Sequence, residues 1–186
     1  RFAGSVFFCP FNKPGLVECR TISLETVMSK IDDLLKDCLL EDGTILHLRD
    51  KYIGVRGCME LATKEALKSV KQLIVPGNQI ADEGLEALAD SPYLGNLEVL
   101  NINHNDIGDD GAIALANSEN LPNLKEVSMF GNVVGDTGAQ AFANSPQSKK
   151  YLKLDLFKNQ YTDIGYKALT ESENLKNCEE LEVYRD

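Results

Sequence analysis

Apolar residues recur along most of this chain with a period that belongs to neither a lone helix nor a lone strand. From residue 70 to residue 170 the same order of apolar, polar and small positions returns at a constant interval of twenty-seven. Asn78, Asn105, Asn132 and Asn159 mark one phase of the repeat, and Gly57, Gly84, Gly111, Gly138 and Gly165 mark another. Written out, the units are "VKQLIVPGNQIADEGLEALA", "LEVLNINHNDIGDDGAIALA", "LKEVSMFGNVVGDTGAQAFA" and "YLKLDLFKNQYTDIGYKALT", beginning at residues 70, 97, 124 and 151. A fixed period of roughly 20–50 residues marks stacked units, each too small to bury its own apolar face without neighbours.

The residue types inside one unit predict its local structure. Leu100 and Ile102 alternate with polar positions, as in a short strand whose inward side chains meet those of the strands beside it. Asn105 follows where the chain must bend, and its amide is suited to backbone groups that the bend leaves unpaired. Repeated once in every unit, it predicts an asparagine ladder. Asp82, Asp109, Asp136 and Asp163 precede the helical stretches, where each is expected to cap the N-terminus of its own helix. Small residues such as Ala114 and Ala116 around Leu115 let a helix lie close to the strand layer, and Pro92 and Pro122 discourage its continuation. The expected fold class is α/β: a curved solenoid with a concave parallel sheet and convex helices.

The array has imperfect ends. An earlier unit keeps Leu46, Leu48, Ile53, Gly57, Leu61 and Ala62 in phase but has Lys51 where asparagine is expected. At the other end Leu181 and Val183 continue the strand phase, and Cys178 takes the position of Leu97. Residues 1–42 lack the full pattern; Leu24, Val27, Met28, Ile31, Leu34, Leu35, Cys38 and Leu39 form a helical stripe, with Ser23 placed as its N-cap. The expected organisation is a capping segment with an amphipathic helix over 1–42 and a repeat array over 43–186. A final strand at Leu181–Val183 leaves a sheet edge, and open edges invite pairing, so edge-mediated self-association or a longer native chain is expected.

Leu97, Leu100, Ile102, Asn105 and Ile107 spell L-x-x-L-x-L-x-x-N-x-L, the leucine-rich-repeat signature. The strings "GAIALA", "GLEALA" and "GAQAFA" resemble ribonuclease-inhibitor-type repeats and the GALA class of bacterial effectors. That resemblance implies a bacterial effector or an intracellular inhibitor, and the module is expected to be non-enzymatic and to bind a protein partner through its concave face. It implies a cytoplasmic setting, which for a secreted effector is the host cytosol. Effectors of this kind sometimes carry an F-box that recruits a ubiquitin ligase, but residues 1–42 have no F-box pattern. The alternative roles are the regulatory or substrate-recognition domain of a larger enzyme, and a ubiquitin-ligase adaptor.

Composition narrows the partner class. A net charge of −10 argues against nucleic acid, whose binding relies on a basic patch and counterion release. No apolar run approaches the roughly 20 residues of a membrane-spanning helix. Five cysteines with no CxxC pair indicate neither a disulfide framework nor a zinc site, and point to reduced thiols in a cytosolic environment.

One loop, "NINHNDIGDDG", has the polar look of a calcium site. With Asn103 at position 1, Asn105 and Gly108 suit an EF-hand loop, but Ile107 and Ala114 fall at ligand positions 5 and 12. No metal is expected there. His47 and His104 lie in different columns two repeats apart and make no natural metal pair. No nucleophile elbow or phosphate loop is present, so neither catalysis nor a cofactor is expected.

The variable positions between the ladder residues face outward on the concave side. Two residues before the asparagine phase stand Arg49, Pro76, Asn103, Phe130, Phe157 and Tyr184; flanking columns contain Ile74, Asn101 and Asp155, and His104 and Lys158. The candidate partner-binding residues are Arg49, Ile74, Asn101, Asn103, His104, Phe130, Asp155, Phe157, Lys158 and Tyr184. The aromatic run Phe130, Phe157 and Tyr184 is the sharpest of these signals, because aromatic clusters rimmed by charge anchor protein partners.

Overall fold

A computed structural model describes residues 24–40 and 42–183. The described residues open with α1 (Leu24–Cys38) and the short β1 (Leu39–Leu40), then alternate strand and helix. The elements are β2 (Ile45–His47), α2 (Gly54–Ala62), β3 (Gln72–Ile74), α3 (Ala81–Ala89), β4 (Val99–Asn101), α4 (Asp109–Asn117) and β5 (Glu126–Ser128). They continue with α5 (Asp136–Asn144), β6 (Lys153–Asp155), α6 (Asp163–Thr170) and β7 (Glu180–Glu182). The strands form one sheet in sequence order, with β2 to β7 parallel and β1 antiparallel to β2. This is the expected solenoid.

The sequence period is the sheet register. Leu46 faces Leu73, Leu73 faces Leu100, Leu100 faces Val127, Val127 faces Leu154 and Leu154 faces Leu181, each pair one repeat apart. These central residues are buried from Leu46 to Leu154, as is the column Leu48, Val75, Ile102, Met129 and Leu156. Each helix closes the layer with its small face: Gly111, Ala112, Leu115 and Ala116 in α4, Gly138, Ala139, Phe142 and Ala143 in α5. Packed helices stand roughly 8–10 Å apart and paired strands about 4.8 Å, so the helical side is the longer one and the sheet lines the concavity. Ile31 and Leu35 of α1 join the same core, next to β2 and α2. Ser23, Cys9 and Cys19 lie outside the described residues.

The asparagine ladder forms as expected. Asn132 Oδ1 accepts from the backbone N–H groups of Asn105 at 2.9 Å and Ile107 at 3.1 Å, while its Nδ2 donates to the carbonyls of Ile102 and Met129. Asn105 Oδ1 accepts from Asn78 N, and Asn78 Oδ1 from Lys51 N and Ile53 N, so the ladder reaches the first unit although that unit lacks the asparagine.

The aspartate column differs from expectation. α3, α4 and α5 have no side-chain cap of their own; each aspartate sits within the first turn of one helix and reaches forward to the next. Asp82 Oδ1 accepts from Gly108 N and Gly111 N, Asp109 Oδ1 from Gly135 N and Gly138 N, and Asp136 Oδ1 from Thr162 N and Gly165 N, all between 2.7 and 2.9 Å. The free N–H groups at a helix start point along its axis, and the carboxylate that meets them lies on the adjacent helix. Asp136 also accepts from the Thr162 hydroxyl, and these bonds hold its carboxyl below the ordinary carboxylate range. A depressed folded-state pKa stabilises above the unfolded value near 4, and that contribution disappears as pH falls through the folded value. Melting between pH 5 and 2 is therefore expected to show an acid-induced drop in midpoint that is shallower in Asp136→Asn.

A second ladder was not anticipated. Ser91, Ser118, Ser145 and Ser172 recur once per repeat, and each hydroxyl donates to an alanine carbonyl at the C-terminal end of the helix in the repeat before its own, Ala62, Ala89, Ala116 and Ala143. The signal was the spacing itself. Serine in a return loop reads as ordinary turn chemistry until its phase is compared with that of the asparagines.

Two fully buried hydroxyls, those of Ser148 and Tyr151, have no hydrogen-bond partner among the described residues. Tyr151 takes the place of Leu97 and Leu124, its ring 6.1 Å from Phe142, and its buried hydroxyl has no hydrogen-bond partner among the described residues. Burial pushes its ionisation upward. Tyr151→Phe is expected to raise stability by about 1 kcal/mol, because an orphaned buried hydroxyl costs free energy that phenylalanine does not. Urea unfolding measures it.

Candidate functional site on the concave face

Phe130 and Phe157 follow β5 and β6 on the concave side, both half-buried, with ring centroids 5.6 Å apart. The spacing matches the roughly 5 Å set by neighbouring strands. His104, from the preceding unit, sets its ring edge-on to Phe130 at 5.1 Å. Lys158 places its ammonium over both phenyl rings, 5.5 Å from one centroid and 5.9 Å from the other. Such cation–π placement is favourable. Tyr184, the third expected aromatic, lies outside the described residues.

The turn that carries these residues is left-handed. Asp50, Gly77, His104, Gly131 and Lys158, one from each successive unit, have φ of 54°, 69°, 54°, 69° and 55°. Glycine adopts this conformation freely, whereas lysine rarely does, so the packing around it must hold it there. Gly131 has a second role: a Cβ there would lie 2.5 Å from His104 ring atoms, so the missing side chain is what lets His104 lean across to Phe130.

The strand side of the aromatic pair is polar and tightly bonded. Asn103 Oδ1 accepts from Phe130 N at 2.8 Å, and Asp155 Oδ1 from Phe157 N at 3.0 Å, so each ring's own backbone is fixed by a side-chain oxygen. Asn101 Oδ1 accepts from Asn103 N at 3.3 Å. Between them the Ser128 hydroxyl stands 2.8 Å from Asn103 Oδ1 and 3.0 Å from Asp155 Oδ2, with one proton to serve one acceptor at a time. Asp155 was expected on an exposed column, but it is only 8% exposed because these bonds draw it down onto the sheet. Its carboxylate positions Phe157 more than it meets solvent.

The remaining expected residues spread outward. Ile74 and Asn101 are half-buried on β3 and β4, while Arg49 is exposed beyond β2, nearer the N-terminal end of the array. His104, Phe130, Asp155, Phe157 and Lys158 come together with Asn101 and Asn103; Ile74 borders the group as the register partner of Asn101, and Arg49 lies further along the array. Sequence reading places Ser128 on the same outward column as Asn101 and Asp155 without making it a candidate, and it misses Glu126 and Lys153. The period-2 alternation, extended one step back along β5 and β6, would have placed Glu126 and Lys153 on the same face.

Cysteine chemistry plays no part in this geometry. Cys58 is fully buried, its Sγ donating to Gly84 O, and burial pushes its thiol up to about 12. Cys178, expected inside, is only half-buried, since no further repeat covers it among the described residues. Among the described residues no group of three histidine, cysteine or acidic side chains could hold a metal, and no helix is long and apolar enough to cross a membrane.

Comparison with known proteins agrees with this architecture. The model of the Leucine Rich repeat matches residues 66–89, 96–116 and 120–143. No curated protein sequence matches the chain. Among solved structures, actin-binding site 2 of leiomodin-1 is similar with a TM-score of 0.58 at 15% identity, covering 83% of this chain and 89% of that one. A tropomodulin C-terminal domain from Caenorhabditis elegans is similar with a TM-score of 0.55 at 17% identity, covering 81% of this chain and 92% of that one. Three matched repeats, a sheet whose register equals the sequence period, and these two likenesses identify the fold as that of a leucine-rich-repeat domain.

Proposed function

We propose that this chain is a protein-interaction module whose concave face binds a protein partner around Phe130 and Phe157. The observation that carries the reading is the pair of phenyl rings on the sheet face beside the polar Asn103, Ser128 and Asp155, with His104 at one edge and Lys158 above. Their backbone is fixed in advance by Asn103 and Asp155, so little ordering remains to be done on binding. The chain acts by occupying a partner's surface, as an inhibitor or effector of the kind its repeats resemble. The cytosol, or the host cytosol for an effector, is the setting we assign from cysteine usage, five cysteines with no CxxC pair. Leiomodin-1 supplies the first probe, since the domain similar to this one is named as an actin-binding site.

Affinity capture with wild-type protein and with folded Phe157→Ala, together with actin co-sedimentation, tests the reading. Truncating a central aromatic anchor is expected to weaken partner binding by about 2 kcal/mol, near thirty-fold, while the melting curve shows the variant still folded. A partner captured equally by both proteins removes Phe157 from the interface and the concave reading with it.

A further inference from the structure

We infer that the occupant of the concave face is an amphipathic α-helix with a basic flank, lying along the solenoid axis across β4, β5 and β6; this rests on the concave reading above. The first argument is spacing. The ring-to-ring steps are 5.1 Å from His104 to Phe130 and 5.6 Å from Phe130 to Phe157. An α-helix returns to the same face every turn, about 5.4 Å, whereas alternate residues of an extended chain are about 6.6–6.8 Å apart. Over two steps a helix stays in phase with all three rings, and an extended chain drifts by almost half a residue pair. Apolar partner residues at i, i+3 or i+4, and i+7 would each meet one ring.

The second argument is charge complementarity. Beside the rings, toward the start of the strands, an open concavity of about 270 Å³ is lined by Asn101, Glu126, Ser128, Lys153 and Asp155, among others. Lys153 is already engaged by Glu180 at 2.6 Å and Glu182 at 3.6 Å, and Glu126 has no ion pair among the described residues. Three carboxylates, Glu126, Glu180 and Glu182, thus stand around a single ammonium, in a protein of net charge −10. The opposite side of the rings carries Lys158. A partner helix with lysine or arginine toward the strand starts is attracted on that side, and one rolled the other way sets its cations against Lys158. Apolar spacing fixes where the helix lies, and the two unlike flanks fix its rotation.

Display selection of random peptides, each about five helical turns long, on the wild-type protein, with counter-selection on a Phe130→Ala/Phe157→Ala variant shown by melting to be folded, tests this. The enriched peptides are expected to carry apolar residues at i, i+3 or i+4, and i+7 beside a lysine- or arginine-rich flank, and to gain helical circular dichroism on binding. Their affinity should fall at least about thirty-fold on the double variant. It should fall up to about five-fold on Glu126→Gln, an exposed position whose change leaves the core intact, and more generally with added salt. Enriched peptides with apolar residues at alternate positions, or with an acidic flank, overturn the helix inference and leave the concave reading in place. Peptides that bind the double variant as well as wild type overturn both, and a selection that enriches nothing above its input overturns the helix inference.

Discussion

Replacing Asn132 with alanine is expected to destabilise the protein by about 3–5 kcal/mol, more than the same change at Asn105. Asn132 Oδ1 is the acceptor for two buried N–H groups, those of Asn105 and Ile107, and its Nδ2 reaches the Ile102 carbonyl. Alanine leaves both donors unpaired where water does not enter, and each orphaned group costs roughly 1–3 kcal/mol. Asn105 serves fewer dependants. Its Oδ1 accepts from Asn78 N, while the Val75 carbonyl it donates to also receives Asn78 Nδ2. Urea unfolding of both variants measures the difference, and equal losses would mean that the ladder acts only through side-chain packing.

Gly138→Ala is expected to cost about 3 kcal/mol, although alanine is the better helix former by about 1 kcal/mol. The added Cβ would lie 2.7 Å from Val134 Cγ1, 2.8 Å from Asp109 Oδ1 and 2.9 Å from Ala112 Cβ. Two of those neighbours belong to the preceding helix. Displacing Asp109 also breaks its bonds to Gly135 N and Gly138 N, so overpacking and lost capping act together. Gly95 supplies the control, since a Cβ there meets nothing within 4 Å. Gly95→Ala is expected to leave the unfolding midpoint unchanged or slightly raised. A Gly138→Ala protein as stable as wild type would show that α4 and α5 can move apart without penalty.

The parts of this molecule that the sequence determined are those fixed by repetition. A residue and its counterpart one repeat further on must be neighbours in a stacked array, so Leu100 against Val127, the asparagine ladder and the adjacency of Phe130 and Phe157 all follow from counting. The tertiary structure decided matters that depend on which neighbour a side chain turns toward. Asp109 could have capped its own helix or the next, and only the offset between α4 and α5 selects the latter. Asp155 stands in an outward column, yet Ser128 and the Phe157 amide draw it to 8% exposure. His104 reaches Phe130 because the left-handed turn aims it across the gap left by Gly131. Period specifies proximity, because the stack is one-dimensional. Orientation at each point is set by local hydrogen bonds and free volume, which no count of residues contains.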